Sequence, residues 1–494
     1  MADRCYLGID VGSSGVKTML VNSGGQALAV ASSNYETSYP HPGFVEQDSD
    51  DWYVAACIAV RKVVAEGGIA AGQIRGIGLS GTSHVPSMLD ENFNLVRPAI
   101  LWNDVRSGEQ VKRLADEHGD LIEKTTGNSV NCTWSLAQIS WVREHEPESF
   151  AKVRHVLFSK DYLAYRLTGT MSADYSTAVS SLLVDAENLR WSPELLSLAG
   201  LGLESVPDIH ASTSIVGRLT PAAAPDMGLP AGVPVVSGML DSAAELIGVG
   251  ATDPSVAVIR LGTAGGVMVL NEKPEWRKGC MLYPHPVRPF WYYQAGTNAA
   301  TVSLQWALDL FGMAGSEAVY EDLDALVGQV TPGADGLLFH PYLIGERAPY
   351  WSSNIRGGFS GVTIKHGRAA FLRAVQEGVA YSLRDCITLL DWSGVTEIRL
   401  CGGGAKSDAW CQIIADVLGL PVDQMQVQDA SALGAAFVAV AGCGETDLAR
   451  VSQSSARASV RIEPEAGNHE TYASGFRNYK DIADQYLRIF DGIG

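Results

Sequence analysis

Cysteine is sparse and scattered, eight thiols in 494 residues with no CxxC pair. That spacing excludes a zinc ribbon and a thioredoxin-type redox pair. Cys5, Cys401 and Cys411 lie in apolar runs and read as small core residues, so a reducing, cytoplasmic compartment is expected. Positive charge is also short: 36 Lys and Arg stand against 55 Asp and Glu, a formal net charge of −19. No overall basic field exists to hold nucleic acid or an anionic membrane, and a polyanion has to be bound at a local site with a metal ion. No apolar run is long enough to cross a bilayer, and the charged start MADRCYLGID is not expected to be a secretory signal. Low-complexity linkers are missing. So are a strict P-loop and the GxGxxG turn after the first strand; lack of the latter counts against a nicotinamide dehydrogenase, a reading that failure to bind NAD would close.

What is present is an ordinary globular composition, 46% hydrophobic and 18% charged, in a chain long enough for two or three domains. The chain is organised around residues 233–250, VPVVSGMLDSAAELIGVG. The run 233–236 suits a buried strand, Ser237 and Gly238 are expected to turn it, and an apolar helical pattern follows. Asp241 then sits at the helix N-terminus, where the first amides and the dipole keep a carboxylate ionised. It is either a helix cap or a general base for a substrate hydroxyl.

Residues 6–11 and 16–21 form an apolar pair around Gly12-Ser13-Ser14-Gly15, a hairpin with a small polar tip. Asp10 is the odd residue in its strand, a turn-stabilising group or a carboxylate that needs a cation. Residues 48–51 cap a helix carrying Trp52, Ala56, Ala59 and Val63 on one face. The strand 74–79 ends in Ser80-Gly81-Thr82-Ser83-His84, and the apolar run 97–106, RPAILWNDVR, ends in polar residues. Residues 256–270, VAVIRLGTAGGVMVL, echo the first hairpin: Gly262 falls on Gly12, Thr263 on Ser13, Gly265 on Gly15, and Arg260 on Asp10. Two such copies point to two similar halves facing each other across a cleft, with domains expected at 1–245 and 246–494. A strand is expected over 336–343 and a helix over 368–385. A second glycine run, Gly402-Gly403-Gly404-Ala405, lies between a short strand and a helix capped by Ser407. Residues 430–441 read as a buried helix, 456–466 as a strand pair or surface excursion, and 472–490 as the last helix.

Strands ending in polar loops with helices between indicate an α/β architecture. Small residues at a hairpin tip free backbone amides and let a phosphate approach, so two facing glycine turns suit a phosphate clamp, as well as being plain hairpins. The run at 402–405 suits adenine and ribose, or a strained crossover. Ser83, His84, Trp102, Asn103 and Asp104 lie with Asp241 at strand ends, where open α/β sheets bind ligands. Groups that both donate and accept suit a polyol, with Trp102 as an apolar wall. Magnesium bound mostly through water would reconcile Asp10 with a nucleotide.

The runs YLGIDVGSSGVKTMLV, IGLSGTSHVPSMLD, RPAILWNDVRS, VVSGMLDSAAELIGVGA, RLGTAGGVMVL, GERAPYWSSNIRGGFSGV and CGGGAKSDAWCQIIADVLGLPV, in this order, resemble the FGGY family of carbohydrate kinases over nearly the whole chain. The resemblance implies two actin-like (ribonuclease H-like) ATPase domains, and transfer of the γ-phosphate of ATP to a hydroxyl of a small-molecule sugar or polyol, with Mg2+. Carried over, Asp241 is the catalytic base and Asp10 lies near the metal. Gly12, Ser13, Ser14, Lys17, Gly262 and Thr263 border the phosphates, and Gly403, Gly404 and Ala405 border the adenosine. Ser83, His84, Trp102, Asn103, Asp104 and Ser242 lie in or beside the sugar pocket. RPAILWND is most similar to the xylulokinase branch, which implies D-xylulose. Ser83 and Ser242 depart from that branch's Met and Asn, leaving another ketopentose, a pentitol or a tetritol open. An actin-like ATP-switched regulator without a sugar substrate is the alternative of another class. The resemblance suggests a homodimer.

Overall fold

The computed structural model describes residues 4–313, 319–426 and 429–491. The first half is built on a six-stranded sheet of β1 (Cys5–Val11), β2 (Gly15–Asn22), β3 (Ala27–Asn34), β4 (Ile74–Gly81), β5 (Ile215–Arg218) and β6 (Pro234–Leu240). Their spatial order is β5-β6-β4-β1-β2-β3. β1 is buried at every residue, as expected of a strand covered on both faces. Helix α1 (Ser49–Glu66) is capped by Asp48, which accepts from Asp50 N, and it buries Trp52, Ala56, Ala59 and Val63. The hairpin of β1 and β2 places Asp10 opposite Lys17, and the parallel pairing of β1 with β4 places it beside Ser80.

The expected turn at Ser237 and Gly238 is not a turn. The strand continues to Leu240 through a register shift against β4. Gly238 sits at φ +81, and a Cβ there would lie 1.9 Å from the Leu79 carbonyl oxygen, so glycine permits a bulge rather than a reversal. That bulge delivers Asp241 as the first residue of helix α2 (Asp241–Gly248). The run 97–106 is likewise shorter in strand than its apolarity suggests, with only Ala99–Ile100 paired.

The second half repeats the plan. β7 (Val256–Leu261), β8 (Gly265–Asn271), β9 (Met281–Pro284), β10 (Trp291–Thr297), β11 (Glu397–Cys401), β12 (Val422–Met425) and β13 (Ala458–Ile462) form a seven-stranded sheet in the order β9-β10-β8-β7-β11-β12-β13. β7 pairs antiparallel with β8 and parallel with β11, as β1 does with β2 and β4. β10 then follows β8 antiparallel, as β3 follows β2. Arg260 pairs with Gly266 at the position where the first hairpin has Asp10. β13 is a single edge strand rather than a pair. The strand expected over 336–343 is only Leu338–His340, and the last helix starts earlier than its apolar face suggests, spanning Ala466–Asp491.

Helix α3 (Ala430–Gly442), which follows β12, lies on the sheet of the first half. Added Cβ atoms at Gly8 and Gly78 would meet the carbonyl oxygens of Ala432 and Ala435 at 2.1 and 2.0 Å. It also crosses α2, where Gly434 approaches the Ala244 carbonyl and Gly248 the Ala430 carbonyl. The small residues read from the sequence thus serve close helix crossing, while Phe437, fully buried, adds about 2 kcal/mol of apolar burial. Among the described residues no helix is long and apolar enough to cross a membrane.

Candidate active site

Asp241 is half-buried where α2 begins. Its Oδ1 accepts from the Ser83 hydroxyl at 3.1 Å and from the Ser242 amide at 2.8 Å. It does not reach the amides two or three residues on, so it is not a side-chain cap. Among the described residues no other residue donates to Oδ2, which leaves that oxygen available as an acceptor. Burial raises its pKa, while the positive charge of Arg260, the Ser242 amide and Ser83 oppose the rise.

Asp10 is 8% exposed and accepts from Ser80 Oγ at 2.5 Å. Burial pushes it up to about 7; the Ser80 hydroxyl and Lys17 oppose, while Asp241 and Asp429 add to the rise. Lys17, placed by the sequence at the phosphates, is ion-paired with Asp429 of the second half. Arg260 faces the same carboxylates from the second half. Its guanidinium lies 3.7 Å from Glu245, and Glu245, Asp241 and Asp10 all favour its charge.

The two turns themselves are open at their tips: Ser13, Ser14 and Thr263 are exposed, and Gly12 and Gly262 half-exposed. The first is closed by Gly12 N on Gly15 O at 3.0 Å. The second is braced by the N-terminus of the helix Thr301–Leu310, whose Thr301 N and the preceding Ala300 N donate to the carbonyls of Gly262 and Thr263. Trp102 Nε1 donates to Ser13 Oγ at 3.1 Å, joining the expected sugar wall to the expected phosphate turn.

In the glycine run, Gly402 has φ +93 and a Cβ there would lie 2.6 Å from the Leu261 carbonyl; one at Gly404 would crowd Leu261, Thr301 and Trp410. Only Gly403 is exposed, with nothing within 4 Å of an added Cβ. Ala405 is buried and its carbonyl accepts from Gln424 Nε2 at 2.6 Å. Gly402 and Gly404 therefore hold the run against β7, Ala405 ties it to Gln424 of β12, and Gly403 presents the free backbone.

The polar cluster divides. Ser83 and Trp102 are at the site. Asn103 is exposed in the adjoining turn. Asp104 is not brought to the site: it is 1% exposed, and its carboxylate is held by the Val45 amide at 2.6 Å and by Arg106 at 2.7 Å. Ser242 is buried with its hydroxyl 2.8 Å from that of Tyr292. His84, at φ +67, has both nitrogens engaged. Nδ1 donates to the Ser180 carbonyl at 2.6 Å, so Nε2 accepts from the Tyr283 hydroxyl at 3.0 Å. Burial, opposed by the Ser180 carbonyl and aided by the charge of Arg347, lowers its pKa to about 4 and holds this imidazole neutral.

Tyr283, Tyr292, Glu245 and Arg347 are absent from the sequence reading of the site. Arg347 lies within the run GERAPYW, whose charged pair is the signal for it; the tyrosines sit in strands with nothing to distinguish them from core residues. Among the described residues no group of three or more His, Cys, Asp and Glu side chains could hold a metal ion by itself. Asp10 is a carboxylate of the kind that would hold magnesium, a cation that keeps most of its water and takes one or two carboxylates.

Residues 5–248 match the FGGY family of carbohydrate kinases, N-terminal domain, and residues 257–443 the C-terminal domain of the same family. The chain is 34% identical to the xylulose kinase of Bacillus subtilis (strain 168) over 484 residues, 97% of this chain and 96% of that protein. It is 34% identical to the xylulose kinase of Escherichia coli (strain K12) over 441 residues, 88% and 89% of the two chains. It superposes on the crystal structure of xylulose kinase from Rhodospirillum rubrum with a TM-score of 0.91 at 30% identity, covering 99% of this chain and all of that one.

Proposed function

The chain belongs to the FGGY family of carbohydrate kinases, and from that premise we propose that it transfers the γ-phosphate of ATP to a hydroxyl of D-xylulose, giving D-xylulose 5-phosphate. The observation that carries this reading is Asp241: one oxygen is pinned by Ser83 and the Ser242 amide, the other is left to accept a proton from an alcohol. The choice of sugar rests on the relatives named xylulose kinase. Of the departures at Ser83 and Ser242, Ser242 is buried against Tyr292 whereas Ser83 is half-buried beside Asp241, so Ser83 is the one placed to meet the acceptor.

In this reading Asp241 orients and deprotonates the attacking hydroxyl. Phosphoryl transfer depends on alignment and charge neutralisation more than on covalent chemistry. The exposed turns at Gly12-Ser13-Ser14 and Gly262-Thr263 offer amides and hydroxyls to the phosphates, and Gly403 leaves space beside the adenosine. Magnesium, held through water at Asp10, would neutralise charge on the phosphates. Lys17 is released from Asp429 to reach them, and Trp102 walls the sugar. The eight free cysteines support a reducing compartment, the cytoplasm.

The test is ADP release screened over ketoses, pentitols and tetritols. D-xylulose is expected to give the highest kcat/KM; ADP release that no sugar or polyol accelerates overturns the proposal. A second expectation concerns Asp10. Its proton is held more tightly in the folded chain than in the unfolded one, so its ionised form costs stability. The cost is full above pH 7 and vanishes as pH falls toward the ordinary carboxylate pKa near 4. Asp10→Asn should therefore raise the melting temperature of the ligand-free protein at pH 8, by roughly 2–4 °C if about 1 kcal/mol is recovered, with little change at pH 4.5, while depressing turnover. A lower melting temperature at pH 8 would contradict it.

A further inference from the structure

The GERAPYW segment of the second half carries a guanidinium that nothing in the chain accounts for. Arg347 has five N–H donors. Among the described residues Nη2 reaches the Thr297 carbonyl at 3.3 Å, Nε is buried without a partner, and no carboxylate lies within ion-pairing distance. The neighbouring Glu346 does not supply one, because its oxygens are already taken by the Thr297 hydroxyl at 2.5 Å and by the Asn298 and Arg347 amides at 2.8 and 2.7 Å. A largely buried cation lacking acceptors is costly, which makes sense where a ligand supplies them.

The direction in which Arg347 reaches identifies that ligand. Its guanidinium crosses the backbone of Gly296, where a Cβ would lie 3.1 Å from Nη2. Gly296 pairs with Gly266 across β8 and β10, so neither of these facing residues puts a side chain beside the guanidinium. The guanidinium carbon stands 6.0 Å from the centre of the Trp102 ring, which belongs to the first half. Its field reaches the His84 and Tyr283 pair. These are the walls of the sugar side. Arg260, by contrast, is the arginine set among Glu245, Asp241 and Asp10 on the phosphate side.

We infer that Arg347 is a sugar-binding residue contributed by the second half, its free N–H groups donating to oxygens of the acceptor that lies against Trp102, so that acceptor choice depends on both halves. This rests on the sugar-kinase reading. Arg347→Ala and Arg347→Lys test it, the second keeping the charge but losing the planar fork. Both variants should raise the KM for D-xylulose by about tenfold or more and weaken its binding to the nucleotide-free protein, read by calorimetric titration, with the KM for ATP within about twofold of wild type. An unchanged sugar affinity in folded Arg347→Lys, or a loss confined to the ATP KM, overturns the inference while leaving the kinase reading intact. If the wild-type protein phosphorylates no sugar or polyol, both fall together.

Discussion

Asp241→Asn should lower turnover at least about a hundredfold, the scale of a lost positioned base, while the KM for the sugar stays within a few-fold of wild type. The substitution is nearly isosteric. An amide oxygen in place of Oδ1 still accepts from the Ser83 hydroxyl and the Ser242 amide, so the side chain keeps its position at the start of α2. What changes is the second atom, which becomes a donor and can no longer take a proton from an alcohol. Because burial raises the Asp241 pKa against the pull of Arg260, the acid limb of the wild-type kcat profile should lie above the usual carboxylate range, with turnover lost as pH falls through it. The residual activity of Asp241→Asn should lack that limb. Near-normal turnover in steady-state assays, or an unaltered acid limb, removes Asp241 from the role of base.

The parts of this site that could be read from sequence are those whose meaning is local. A glycine turn between apolar runs fixes a hairpin, and the match of residues 256–270 to the first hairpin is seen again in the parallel and antiparallel pairings of β7 and β1. Asp48 before an amphipathic helix behaves as a cap for the same reason. Side-chain destinations are another matter. Trp102 bonds to Ser13, 89 positions away, and His84 to Tyr283, 199 positions away; no periodicity carries such information. The place of Asp104 has a more local cause, since Arg106 stands two residues on and Glu46 receives the other end of that arginine at 2.7 Å. An aspartate with an arginine at that spacing often closes its own turn. At Ser237 and Gly238 turn chemistry and bulge chemistry share the same residues, and only the neighbouring strand decides between them.

Glycine is also where the second large effect is expected. Gly434→Val should destabilise the protein by about 3 kcal/mol or more, lowering the melting temperature by roughly 6–12 °C for units of this size, or leave it without a cooperative transition. An added Cβ at Gly434 would stand 1.9 Å from the Ala244 carbonyl oxygen, and one at Gly248 2.0 Å from that of Ala430. In both cases the obstacle is backbone, which cannot rotate away. Relief requires α2 and α3 to separate, and α3 is already seated against Gly8 and Gly78 of the first sheet. Separation would also shift α2, whose first residue is Asp241, so activity should fall with stability. Gly403→Ala provides the opposite case. Its position is exposed, with open space around an added Cβ, so its melting temperature should stay within about 2 °C of wild type, the range of a neutral surface change, while the KM for ATP rises because a methyl group enters the space left beside the adenosine. Thermal unfolding and nucleotide titration of the two variants separate a glycine required by helix packing from one required by a ligand. Equal melting temperatures for Gly434→Val and wild type would overturn the close crossing of α2 and α3.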